Sequence, residues 1–278
     1  MPHLHKALTL PASLKQNLIM KRLLMIFLII ILISCNNNNN LKIDTPITKR
    51  VENITPTKDQ QVRRAKSEDF CRSKKIPIYK NPHSLFVEPE AKVTIRKKDE
   101  IVNRAIALCY LELKSEKADK KMLADFDKRY KVMEKLTPKE KEFALSENPT
   151  EQQMTDANWR AESYHVMLWA LGYIDTLKYP NEVCKIESDV KHLFSKTETQ
   201  FRQKARLRSK NEILNQADLI LRLNWACVNE KFMQEGKGRL FKEDFVMLDK
   251  SVVYERHYSL NWLINYMSQE WDNVKTDT

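Results

Sequence analysis

From Asp99 onward the apolar positions recur at helical spacing. Ile101, Ala105, Leu108 and Leu111 form one stripe. Leu123, Phe126, Tyr130, Met133 and Leu136 form a second, with charges on the opposite face. Thr137-Pro138-Lys139-Glu140 reads as a capping box with Pro at the first helical position, so a new helix starts there and Asn148-Pro149 ends it. Thr150-Glu151-Gln152-Gln153 caps a longer helix running to Gly172, whose missing Cβ suits a C-terminal stop. A shorter helix follows from Ser188 to Thr197, then one from Lys210 to Phe232 that breaks near Gly236 and Gly238. The last runs from about Lys250 to Trp271. Only residues 84–96, with Phe86-Val87 and Val93-Thr94-Ile95, hint at a short β-hairpin. The pattern predicts an all-α domain, a compact multi-helix bundle of orthogonal type with about seven helices.

Two helix starts resemble each other. Arg96 to Ala105 aligns with Arg208 to Ala217, with six of ten positions identical at a separation of 112 residues. Glu100 and Glu212 fall in first turns, where the helix dipole favours carboxylates. Shared start chemistry and a duplicated helical half both account for the match.

Placing residues at helical angles shows which polar groups lie on apolar faces. Glu162 falls inside the stripe of Trp159, Val166, Trp169, Ala170 and Tyr173. Arg256 falls inside that of Val253, Leu260, Leu263, Ile264, Met267 and Trp271. Between Ala217 and Val228 the chain is apolar nearly all round, which predicts a central buried helix whose polar members are Asp218, Arg222 and Asn224. Asp218 precedes Arg222 by four, the favourable order for a helical ion pair. Charges in such places need partners. They either fix the packing of helices as a buried cluster or line a polar pocket for an anionic or guanidinium-bearing ligand. Glu255-Arg256-His257 adds a carboxylate and an imidazole, enough in principle for acid–base chemistry, although a hydrogen-bonded, partly buried role suits His257 better.

No metal-ligand set and no cofactor motif emerges. Glu162-x-x-His165 has the spacing used by di-iron bundles, but those need a second such motif and two more carboxylates. Cys71, Cys109, Cys184 and Cys227 match no zinc spacing. Cys109 and Cys227 sit in apolar runs, and free thiols are the expectation for all four. With only 3 Gly, phosphate-cradling loops and dinucleotide fingerprints are excluded.

The N-terminus carries an export signal. Met20-Lys21-Arg22 precedes the uncharged run Leu23 to Ser34, which is too short to span a bilayer, and then comes Cys35. Leu32-Ile33-Ser34-Cys35 looks like the lipobox of bacterial lipoproteins, in which the cysteine is acylated with chains such as palmitate and the preceding peptide is removed. Two or three acyl chains hold a protein stably on a membrane where one would not. Residues 1–34 thus read as a lipoprotein signal with Met20 as its start, 35–62 as a flexible tether beginning with five Asn, and 63–278 as the helical domain. The four cations before Cys35 (Lys6, Lys15, Lys21, Arg22) leave +7 of the net +11 on the anchored chain, which suits an anionic envelope. The lysines alternate with acids and form no basic patch with interleaved aromatics, so nucleic acid is not an expected partner.

The chain also resembles the domain of unknown function 4272 family. The resemblance is carried by Arg96-x-x-x-Glu100-Ile101-x-x-Arg104-Ala105, Trp159-x-x-Glu162, Leu168-Trp169-Ala170-Leu171-Gly172 and Glu212-Ile213-Leu214-x-x-Ala217-Asp218. Arg222-Leu223-x-Trp225-Ala226, Glu255-Arg256-His257-x-x-Leu260-Asn261-Trp262-Leu263 and the ending Trp271-Asp272-Asn273-Val274-x-x-Asp277-Thr278 complete it, with Asn273 where the family pattern has Asp. The resemblance implies a mostly helical domain without an assigned activity. Its members often lack an export signal, so the lipobox is a departure that makes anchoring a local addition. The leading expectation is a lipid-anchored envelope protein with a binding or interaction module and a protein partner there. The alternative is a hydrolase-like envelope enzyme that uses Glu162, Asp218, Arg222, Arg256 and His257 in a pocket.

Overall fold

The computed structural model describes residues 54–235 and 248–277. The lipobox, residues 35–53 of the tether, and Gly236 and Gly238 lie outside them. The helices are α1 (Lys58–Ser73), α2 (Lys98–Ser115), α3 (Lys120–Tyr130), α4 (Pro138–Leu145), α5 (Glu151–Ala170), the single turns α6 (Ile186–Asp189) and α7 (Lys191–Phe194), α8 (Glu198–Lys204), α9 (Lys210–Glu235) and α10 (Lys250–Leu263). The expected all-α bundle is what forms. Its spine is a row of packed helices: α2 on α5, α5 on α10, α10 on α9 and α9 on α1.

Local chemistry sets the helix starts. Thr137 accepts from the Glu140 amide while the Glu140 carboxylate accepts from the Thr137 amide at 2.9 Å. Thr150 and Gln153 close the same box on α5. At its other end α5 stops where Gly172 turns to φ +74°, a conformation in which an added Cβ would lie 2.9 Å from the Arg206 carbonyl oxygen. α2 is deeply enclosed: from Ile101 to Leu113 every residue except Asn103 is buried. The all-round apolar stretch of α9 is buried in large part as well, as expected of a central helix, and α2 and α10 share the interior with it.

The two similar helix starts serve the same structural purpose. Arg96 donates its amide to the Leu263 carbonyl and its Nε to the Trp262 carbonyl, with the guanidinium 5.1 Å from the Trp262 ring. Arg208 donates its amide to Ala170 and its Nε to Trp169, 5.0 Å from the Trp169 ring. Each arginine thus satisfies the orphan carbonyls at the end of a long helix, the need every helix C-terminus has. Glu100 and Glu212 each accept from the backbone amide three residues earlier. Both capped helices also end in a left-handed residue at the same offset from the tryptophan, Asn265 and Gly172. Shared start chemistry alone does not account for matching partners, so we read α2–α5 and α9–α10 as a duplicated pair of helical elements.

Four expectations are corrected. The segment 84–96 forms no strand, because its carbonyls are taken by side chains of α1: Gln60 donates to Val87 at 2.8 Å, Arg64 to Ser84 at 2.9 Å and Arg63 to Glu88 at 3.3 Å. The helix that makes these bonds begins at Lys58, so residues 58–62 belong to the domain and not to the tether. α10 ends at Leu263, not Trp271. Asn265 and Met267 take positive φ, the chain turns back, and Met267 becomes exposed. The single helix expected over 188–197 is instead the end of α6 and α7, after which α8 starts with its own Thr197–Gln200 capping box.

Candidate functional site

The charges embedded in apolar stripes resolve into three pairs. Arg256 of α10 donates from Nε to Glu162 of α5 at 3.2 Å and from Nη1 to the Lys178 carbonyl at 2.5 Å. The same Glu162 accepts from the Cys184 amide through its other oxygen. Asp218 holds Arg222 at 3.0 and 3.4 Å within α9, both side chains 1% exposed. Asp218 is thus the partner of Arg222, as the helical spacing predicts, and does not bond Arg256. Glu255 accepts from Arg160 at 3.0 Å and from Ser163 at 2.9 Å. Burial raises the Glu255 carboxyl above the usual carboxylate range, against the pull of Arg160 and Ser163.

His257 stands apart from these pairs. It is 1% exposed, and its Nδ1 has no hydrogen-bond partner among the described residues. Burial pushes its pKa down to about 3, so it stays neutral at physiological pH. The unfolded chain protonates this imidazole near pH ~6.5. Between that value and about 3 the unfolded state therefore binds one more proton than the native state. Stability should fall on acidification through this window by up to about 1.4 kcal/mol per pH unit. Urea unfolding of wild type and His257→Phe from about pH 7 to about pH 5 should show a shallower fall in the variant. Equal slopes would mean that His257 is protonated in the native state.

A further buried pair is one the sequence analysis missed. Arg104 of α2 grips Glu140 of α4 in two bonds of 3.0 and 2.8 Å, with its guanidinium 4.9 Å from the Trp271 ring. A lone cation on the otherwise apolar face of α2 was the available signal. Trp271 itself meets Trp262 and Tyr258 edge-on at 5.4 and 5.1 Å, and Asp272 accepts from Thr137 at 2.8 Å. The C-terminal motif is thus a clasp over α4, α5 and α10.

Beside this clasp lies a cleft of about 310 Å³, where Arg160, Tyr258 and Trp271 form the floor and Lys139, Glu142 and Asp156 stand on the rim. A second cleft of about 410 Å³ lies between α1 and the extended segment that follows it, bordered by Arg64, Glu68, Tyr79 and Phe86. Glu162, Asp218, Arg222, Arg256 and His257 line neither; only Glu255 reaches one, through Arg160. Cys71, Cys109, Cys184 and Cys227 are buried and form no disulfide among the described residues, and burial pushes the Cys71 thiol up to about 12. Three groups away from the stripe charges also converge. His165, Cys184 and Asp189 bring one donor atom each within 4.8 Å of the others.

No curated protein and no solved structure matches the chain. The family described as a domain of unknown function, number 4272, matches residues 63–274, which takes in all four charge pairs described above and the C-terminal clasp. The chain belongs to the domain of unknown function 4272 family.

Proposed function

We propose that this protein is a lipid-anchored bacterial envelope protein whose helical domain is a non-catalytic binding module, docking a protein partner at the Arg160 cleft. The observation that carries the reading is the burial of the charged cluster. Its members are buried and, His257 aside, bonded to one another, to neighbouring side chains or to the backbone, so they stabilise the helix packing and are not presented to a substrate. The hydrolase-like alternative requires those same groups in a cleft. Binding instead draws on the cleft that Glu255 reaches through its bond to Arg160, where Arg160 lies 4.5 Å from the Tyr258 ring and 5.7 Å from that of Trp271. Aromatic walls with a charged rim are the composition of a protein-recognition surface.

Anchoring rests on the Leu32-Ile33-Ser34-Cys35 lipobox. Among the described residues no helix is long and apolar enough to cross a membrane. Cells fed labelled palmitate should incorporate it into the wild-type chain and not into Cys35→Ser. Equal labelling of both would end the lipoprotein reading. Docking is tested by affinity capture from detergent-solubilised envelopes. Glu142 and Asp156 are exposed on the rim, so reversing both to Arg should leave folding intact and abolish capture of the partner. Capture at the wild-type level by the double variant would move the binding surface elsewhere.

A further inference from the structure

We infer that His165, Cys184 and Asp189 form a binding site for a zinc ion. The three come from α5, from the loop before α6 and from α6, separated by 19 and 5 residues, a spacing that no sequence signature announces. His165 Nδ1 lies 2.7 Å from Asp189 Oδ2, and one donor atom from each of His165, Cys184 and Asp189 lies within 4.8 Å of the other two. Zinc bonds of about 2.0–2.3 Å in a tetrahedron place donor atoms roughly 3.3–3.7 Å apart. From a spread of at most 4.8 Å, the donors close on an ion with shifts on the order of 1 Å.

The chemistry of the donors fits. Imidazole nitrogen and thiolate sulfur are the ligands zinc prefers, and a carboxylate is a common third. One thiolate and one carboxylate cancel the two charges of the ion, which matters where Cys184 and Asp189 are both buried. On binding, the Cys184 thiol proton leaves to solvent and its sulfur lone pair becomes the bond to the metal.

The supporting bonds are in place as well. Glu162 accepts the Cys184 amide, and the Tyr164 hydroxyl donates to the Asp189 carbonyl at 3.1 Å. Two of the ligand-bearing backbones are thereby fixed by residues of α5, the helix that carries the third ligand. Outer contacts of this kind hold ligands in register for a metal. Glu162-x-x-His165 is then a positioning residue and a ligand one turn apart, not half of a di-iron site.

The test is titration of the full-length, untagged chain in detergent with Co²⁺, a coloured substitute for zinc. One equivalent should bring up a thiolate-to-cobalt charge-transfer band, and added Zn²⁺ should bleach it. The band should vanish in Cys184→Ser and persist in Cys227→Ser, whose thiol is buried on α9. His165→Gln and Asp189→Asn should each weaken Co²⁺ binding at least about 10-fold, since even outer-shell losses cost 10–100-fold. If Cys184→Ser does not fold, these two variants, checked by far-ultraviolet circular dichroism, decide the matter. A wild-type chain that gives no band with excess Co²⁺ overturns the site, as does a band that survives unchanged in His165→Gln and Asp189→Asn.

Discussion

Arg256→Ala and Glu162→Ala should each lower the unfolding free energy by about 3–5 kcal/mol, because each leaves a buried charge without its counter-ion. The pair is 4% and 2% exposed, so solvent cannot take over the vacated bonds. Each side chain also has a backbone partner: Arg256 holds the Lys178 carbonyl and Glu162 holds the Cys184 amide. The double variant should therefore cost well below the sum of the two, with a coupling on the order of 2–3 kcal/mol, yet more than either alone. Urea unfolding of a chain starting at residue 54 is the measurement. A start at residue 63 would remove the first turn of α1 and with it the Gln60 bond to Val87. A loss below about 1 kcal/mol for Arg256→Ala would mean a solvent-accessible guanidinium, and a ligand-facing role for Arg256 would replace the packing role.

Glu162 and Arg256 were legible because helical angles put a charge where only apolar groups belonged. The Asp218–Arg222 pair was legible from spacing alone, and the starts of α4 and α5 from their capping boxes. The same periodicity misled at the end of α10. Leu260, Ile264, Met267 and Trp271 keep helical spacing, and the chain there has neither Gly nor Pro. Asn265 nevertheless takes the left-handed conformation at φ 54°, as Asn does more readily than most residues. Trp271 is then buried by a returning turn and not by a continuing helix, a tertiary contact that periodicity cannot register.

α1 escaped for the opposite reason. Its buried positions are Gln60, Arg63, Arg64, Ser67 and Cys71, so its inward face carries almost no apolar signal. Gln60, Arg63 and Arg64 face extended backbone, and they take up carbonyls that a β-hairpin would have paired. The His165–Cys184–Asp189 convergence was hidden in another way. Its members are near in space because Glu162 and Tyr164 draw the segment after α5 back onto that helix, and none of the three has a telling neighbour in sequence.

Asp218→Ala should be at least as damaging as loss of Arg256, at about 3–5 kcal/mol. Arg222 is the largest of the fully buried side chains, and its Nη1 has no hydrogen-bond partner among the described residues even with Asp218 in place. Without Asp218 its nearest described compensation is the Phe86 ring, 5.8 Å from the guanidinium carbon. A cation–π contact supplies about 0.5–2 kcal/mol, less than the desolvation it would have to offset. Replacing both members by apolar groups of similar size removes that cost. Asp218→Leu combined with Arg222→Met should therefore recover most of the stability that Asp218→Ala loses. The exposed pair Lys120–Glu147, at 3.8 Å and 94% and 82% exposed, is the internal control. Lys120→Ala should change stability by less than about 1 kcal/mol. Unfolding midpoints in urea for these three variants check the ordering. If Asp218→Ala were as mild as Lys120→Ala, water would have to reach Arg222, and the interior of α9 would be a wet pocket in place of a packed one.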